Sequence, residues 1–190
     1  MKTVLKMILA IAVIGFFTAC NSSDDFETDN VDSFKHHEGK MVTLGFNILL
    51  YGTYQEVPEN DDCPGLGKVI NTGEGTGTHF KKVTSYFEFC VKPTGPGGGT
   101  YPEGYLVAYF EDENGDRLNV EVAGEVIPGR VPGMPNYALS YFKDPFKITG
   151  GTGRFEGATG GGMTNDYNFI GKDGIPHTSH HWQGTITMKK

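Results

Sequence analysis

The stretch HTSHHW sets His177, His180 and His181 close together near the end of the chain. Imidazoles in such a group could hold a metal ion or move a proton near neutral pH. In an extended strand alternate residues share a face, so His180 goes with Trp182, Ile186 and Met188, and His181 goes with Ser179, Gln183 and Thr185. The adjacent histidines therefore diverge. A zinc site would need ligands from other strands, such as His79, and no HExxH or CxxC pattern accompanies it, so one core histidine with two surface ones is the favoured reading and no metal is expected. Nucleophilic hydrolysis is not expected either, because the chain has no Gly-x-Ser-x-Gly elbow. Glu88 and Glu111 could act as acid or base inside an apolar barrel, but acids are rarely buried without a partner, and both read better as solvated outer residues.

Four polar residues share strand faces with apolar ones. His79 alternates with Val83 and Phe87, His180 with Trp182 and Ile186, and Asn165 and Tyr167 with Met163 and Phe169. A few polar groups in a mostly apolar lining are the mark of a small-molecule site, so these four are the candidate ligand contacts. The competing reading is that they satisfy one another or the backbone within a packed core.

The glycines of ITGGTGRFEGATGGGMTND, residues 148–166, raise the question of a phosphate cradle. Such a cradle follows a first strand and opens a long helix. This segment lies late, lacks the Lys-Ser/Thr pair of a P-loop, and continues into ATGG, which would break a helix. Architecture is the better reading: glycines supply positive φ at a sharp corner, Phe155 can plug an end, and Arg154 can face solvent or pair with an acid.

The elements that must position these residues are strands. The chain carries 28 glycines, 10 prolines, 13 phenylalanines and 9 tyrosines, which suits many short strands and tight turns. MVTLGFNILLYG alternates with period two, and THFKKVTSYFEFCVK follows after QEVPENDDCPGLGKVINTGEGTG, which reads as a loop. YLVAYFEDENGDRLNVEV is a hairpin turned at Asn114-Gly115. YALSYFKDPFKI is a strand bulged at Pro145, and MTNDYNFIG and HTSHHWQGTITMKK close the chain. Seven strands, or eight if the bulged one divides, with no crossover helix, predict an all-β antiparallel sandwich or closed barrel. Leu44, Phe46, Ile48, Val83, Phe87, Leu118, Val120, Val122 and Trp182 are the expected core.

At the N-terminus, Lys2 and Lys6 precede an apolar run from Met7 to Phe17 that is too short to span a bilayer and ends in small residues before Cys20. Residues 1–19 read as a signal peptide, residues 20–40 as an acidic flexible tether, and residues 41–190 as one domain. Without residues 1–19 the chain keeps 14 of its 16 basic residues against 23 acidic ones, and its formal charge moves from −7 to −9. That acidity and the lack of a basic cluster speak against a nucleic-acid partner. Cys63 and Cys90 then remain, either bridged or as two buried thiols.

Two resemblances add to this reading. FTAC, residues 17–20, resembles the lipobox of bacterial lipoproteins, with Phe17 where that family most often has Leu, and the acidic NSSDDFETDNVDSF after it is similar to the tether of Bacteroidota lipoproteins. This implies a lipid on Cys20 and an outer-membrane location with the membrane as partner, and the acidic tether is of the kind that accompanies export to the cell surface. ITGGTGRFEGATG resembles the signature turn of allene oxide cyclase and dirigent barrels, and the likeness extends over residues 41–188. It implies a seven- to eight-stranded β-barrel without a cofactor. Three functions follow as expectations: binding of a small, largely apolar molecule, an isomerase or cyclase of the allene oxide cyclase-like type, or a structural or adhesion role. Fold alone transfers no catalytic residue.

Overall fold

The computed structural model describes residues 39–57, 61–102 and 104–190. The expected signal peptide, Cys20 and most of the tether lie outside the described residues.

Twelve strand segments follow in order: β1 (Met41–Val57), β2 (Gly67–Gly77), β3 (Phe80–Gly95), β4 (Gly98–Tyr101), β5 (Tyr105–Asp112), β6 (Arg117–Val122), β7 (Gly124–Pro128), β8 (Ser140–Phe142), β9 (Pro145–Gly151), β10 (Thr159–Thr164), β11 (Asp166–Ile170) and β12 (Pro176–Lys189). All pairings are antiparallel. β1, β2, β3 and β12 are long and form one continuous wall. From β3 the wall continues along two tiers that both return to β12. One tier is β5-β6-β9-β10 and the other is β4-β7-β8-β11. The result is a closed all-β barrel of eight strand positions. Four of those positions are interrupted near one level, at Ala123, Lys143-Asp144, Asn165 and the turn after Tyr101. Pro145 marks one of the breaks, as its missing N–H predicts.

Local sequence accounts for the pieces. In the β5–β6 hairpin Gly115 takes φ 84°, and Asp112 Oδ1 accepts the amides of Asn114 at 2.8 Å and Asp116 at 3.1 Å. The expected core is buried at eight of nine positions. Leu44 is the exception, 39% exposed. It precedes Ile48, where β2 begins to pair with β1, so the wall is incomplete on one side of it. The segment read as a loop before residue 78 is also corrected, since it contains β2 and the end of β1.

The β5-β6-β9-β10 tier encloses solid packing. Trp182 stacks on Phe87 at 5.4 Å and meets Phe110 edge-on at 5.0 Å and Phe146 at 4.9 Å. Each such fully buried ring contributes about 1.5–3 kcal/mol. The glycine corner closes this end: the single 3-10 turn Gly153–Phe155 starts from Gly153 at φ 54°, and Phe155 is buried and stacked on Phe80 at 5.0 Å. Arg154 lies over the Phe155 ring and pairs with Asp112 at 2.9 Å, so the corner is locked to the hairpin turn. Cys63 and Cys90 are joined in a disulfide.

Candidate functional site

The other tier is not filled. Between the long wall and β4-β7-β8-β11 lies a cavity of about 340 Å³, within the range of small-molecule sites. Phe87, Phe89, Tyr105 and Phe142 provide ring faces, and the exposed residues Glu56, Pro93, Gly95 and Gly97 rim its mouth. The rings form a continuous set, with Phe89 stacked on Tyr105 at 4.8 Å and Phe87 at 5.5 Å from Tyr105.

A polar chain crosses the floor. Asn71 Nδ2 donates to Thr178 Oγ1, Thr178 donates to Asn168 Oδ1, and Asn168 Nδ2 donates to Ser140 Oγ, each at 3.0 Å. His180 is 2% exposed; its Nε2 meets Asn71 Oδ1 at 3.2 Å and its Nδ1 meets Asp166 Oδ2 at 2.7 Å. Asp166 also accepts Trp182 Nε1–H at 3.0 Å and the His181 amide at 2.8 Å. An acceptor of three N–H donors is a carboxylate, so Nδ1 of His180 carries hydrogen toward it. Both imidazole nitrogens are thus engaged by the protein, which suits a fixed wall better than a proton carrier.

At the level of the wall breaks Tyr101 donates its hydroxyl hydrogen to Asp144, whose backbone N–H donates to Thr164 Oγ1 at 2.8 Å. Burial raises Asp144 above the ordinary carboxylate range, and the nearby Asp166 charge adds to this, while Tyr101 and the Glu125 amide oppose it. The folded chain therefore binds this proton more tightly than the unfolded chain. The resulting stability is fully present below about pH 4, the unfolded value, and is lost as pH rises through the higher folded value. Asp144→Asn keeps an acceptor for Tyr101 and should lack that decline. Denaturant melts of both proteins from pH 4 to pH 8 check this; parallel profiles would contradict it.

Of the four predicted contacts, His180 alone lines the cavity. Asn165 is exposed and Tyr167 packs in a cluster with Tyr137 at 6.2 Å and Phe169 at 5.9 Å, because β11 turns Asp166 and Asn168 inward and the odd positions outward. His79 is not in a strand face with Val83; it sits at φ 66° in the turn between β2 and β3, its ring nitrogen 2.8 Å from the Gly45 carbonyl. Glu88 and Glu111 are paired with Lys68 and Arg117. His177 pairs with Asp173 at 3.0 Å. Among the described residues no three His, Cys, Asp or Glu side chains are placed to hold a metal ion. Sequence reasoning missed Asn71, Tyr105, Asp144 and Asp166. The available signal was the inverted pattern of TNDYN, whose polar even positions become internal only if the barrel is hollow there.

A broader recess of about 700 Å³ lies outside the long wall, along Tyr51, Glu74, Tyr86 and Tyr109. Several of its polar groups are engaged with neighbours: Tyr86 donates to Glu88, Glu74 pairs with Lys82, and Glu111 with Arg117, while Ser85 Oγ has no hydrogen-bond partner among the described residues.

No family model matches the chain, and no curated protein matches it. Among solved structures the chain is similar to a pterocarpan synthase dirigent protein at 16% identity, over 87% of this chain and 98% of that one, with a TM-score of 0.41.

Proposed function

We propose that this chain is an outer-membrane lipoprotein, held by lipid on Cys20, whose barrel binds a small, largely apolar molecule. The observation that carries the binding reading is the contrast between the two tiers, one packed solid with aromatic rings and the other left with a ring-walled cavity over a hydrogen-bonded floor. Cores are normally close-packed, so a cavity of this size is kept at a cost that ligand binding explains. The engaged nitrogens of His180 and the Tyr101–Asp144 bond favour binding over proton transfer.

Two measurements test the proposal. Native mass spectrometry of protein from its own host should show a copurifying small molecule, with occupancy reduced several-fold in Phe89→Ala and unchanged in Tyr167→Phe, which alters only the outer cluster. An empty protein, or equal loss in both variants, would count against a cavity ligand; conversion of the bound molecule to an isomer would move the reading to a cyclase or isomerase. Cys20→Ser should release the chain from membranes, and retention after a high-salt wash would end the lipoprotein reading.

A further inference from the structure

We infer that the cavity selects an uncharged ligand bearing a hydrogen-bond acceptor, such as a ketone, ether or alcohol oxygen, and rejects carboxylates, phosphates and sulfonates. This rests on the binding reading above and specifies its chemistry.

The first support is the absence of any unpaired positive group facing the cavity. The lining contains neither lysine nor arginine, and its carboxylate, Glu56, stands at the exposed mouth. His180, the basic side chain of the lining, has Nδ1 on the Asp166 carboxylate and Nε2 on Asn71 Oδ1, so its counter-charge is supplied within the protein. The glycine turn at the rim is committed to the β3–β4 ladder, where Gly95 pairs with Gly98 and Pro93 with Gly99. Behind the wall two carboxylates, Asp144 and Asp166, both bear on Tyr101 and Tyr105. An anion entering here would be desolvated with no free counter-charge, whereas anion sites supply guanidinium, ammonium or convergent backbone N–H groups.

The second support is a pair of unfilled donors. The Tyr105 hydroxyl has no hydrogen-bond partner among the described residues, and its ring forms part of the wall. Burial first, then the charges of Asp166 and Asp144, push its ionisation well above the ordinary tyrosine range, so it stays protonated and donates. Ser140 ends the floor chain as an acceptor from Asn168 Nδ2, which leaves its own hydroxyl hydrogen without an acceptor among the described residues. The direction of the chain is set at Asn71, whose oxygen faces His180 Nε2 and whose amide therefore donates to Thr178, so the single hydrogen of Thr178 goes to Asn168. Two O–H donors beside aromatic faces recognise an oxygen acceptor on a flat apolar body.

The isosteric pair 2-acetylnaphthalene and 2-naphthoate, with naphthalene as the hydrocarbon control, separates the terms. Calorimetric titration of the full chain should give the ketone at least about tenfold tighter than the carboxylate, since an unpaired buried charge outweighs one hydrogen bond. Tyr105→Phe and Ser140→Ala should each weaken the ketone by about 3- to 10-fold and leave naphthalene unchanged, the size of one net hydrogen bond. Thermal melts confirm that both variants fold. Naphthoate binding as tightly as the ketone would overturn the selectivity and leave the binding reading intact. Ketone affinity unmoved in both variants would overturn the donor assignment. If neither the ketone nor naphthalene binds, the inference and the binding reading both fail.

Discussion

Asp166→Ala should cost about 3–5 kcal/mol of folding stability, the range expected when one partner of a buried charged pair is removed. Asp166 is 1% exposed and accepts from three donors that belong to β12: His180 Nδ1, Trp182 Nε1 and the His181 amide. Alanine leaves all three unpaired in the interior, and each buried orphan donor carries its own desolvation cost. Because the same contacts orient His180 toward Asn71 on β2, the loss spreads across the cavity floor. Asp166→Asn, which keeps the volume and one acceptor oxygen, should lose less. Urea denaturation at neutral pH measures both. A change below about 1 kcal/mol in the alanine variant, the value of an ordinary exposed pair, would show that this carboxylate is not a hub for β12.

How much of this was legible from the chain depends on what fills each strand. The β5–β6 hairpin was readable because Leu118, Val120 and Val122 alternate with polar residues after Asn114-Gly115, and all three are buried. The glycine corner was readable because Gly153 takes positive φ and Phe155 points into the barrel end. β2 was not. Its sequence GKVINTGEGTG has no apolar alternation because Gly73, Gly75 and Gly77 lie against β1, where an added Cβ would come within 2.8 Å of Leu50 Cδ1, 2.1 Å of the Leu49 carbonyl oxygen and 2.8 Å of Ile48 Cγ1. The neighbour's side chains occupy the space that a hydrophobic period would otherwise fill, so the strand hides as a turn-rich segment. The site was half legible for a related reason. His180 shares parity with Trp182 in a strand whose inner face is apolar, so alternation found it. In β11 the apolar residues Tyr167 and Phe169 cover the outside with Tyr137, while Asp166 and Asn168 turn in, so the same rule selected the wrong face. Alternation identifies the inner face only where the interior is packed with hydrocarbon.

Removing the disulfide with Cys63→Ser and Cys90→Ser together should cost about 3–4 kcal/mol, the chain-entropy value for a loop of this length. The bridge spans a sequence separation of 27, and both half-cystines are buried, at 2% and 6% exposure. It ties the segment preceding β2 to the end of β3, and the neighbours of Cys90 on β3, Phe89 and Val91, line the cavity. Two effects should therefore separate in experiment. Global stability falls, read as a lower urea midpoint with a steeper slope, because the unfolded chain without its cross-link exposes more surface. Beyond that, the mouth end of β3 loses its covalent hold, so amide exchange at Phe89, Val91 and the β2 residues paired with them should rise more than exchange around Trp182 in the packed tier. Lys68 pairs with Cys90 in the β2–β3 ladder and its ammonium is held by Asp62 and Glu88, so part of the junction survives reduction. Uniform acceleration of exchange in both tiers would show that the bridge acts on the unfolded chain alone, whereas acceleration confined to β2 and the outer end of β3 would mark it as a brace for the cavity wall.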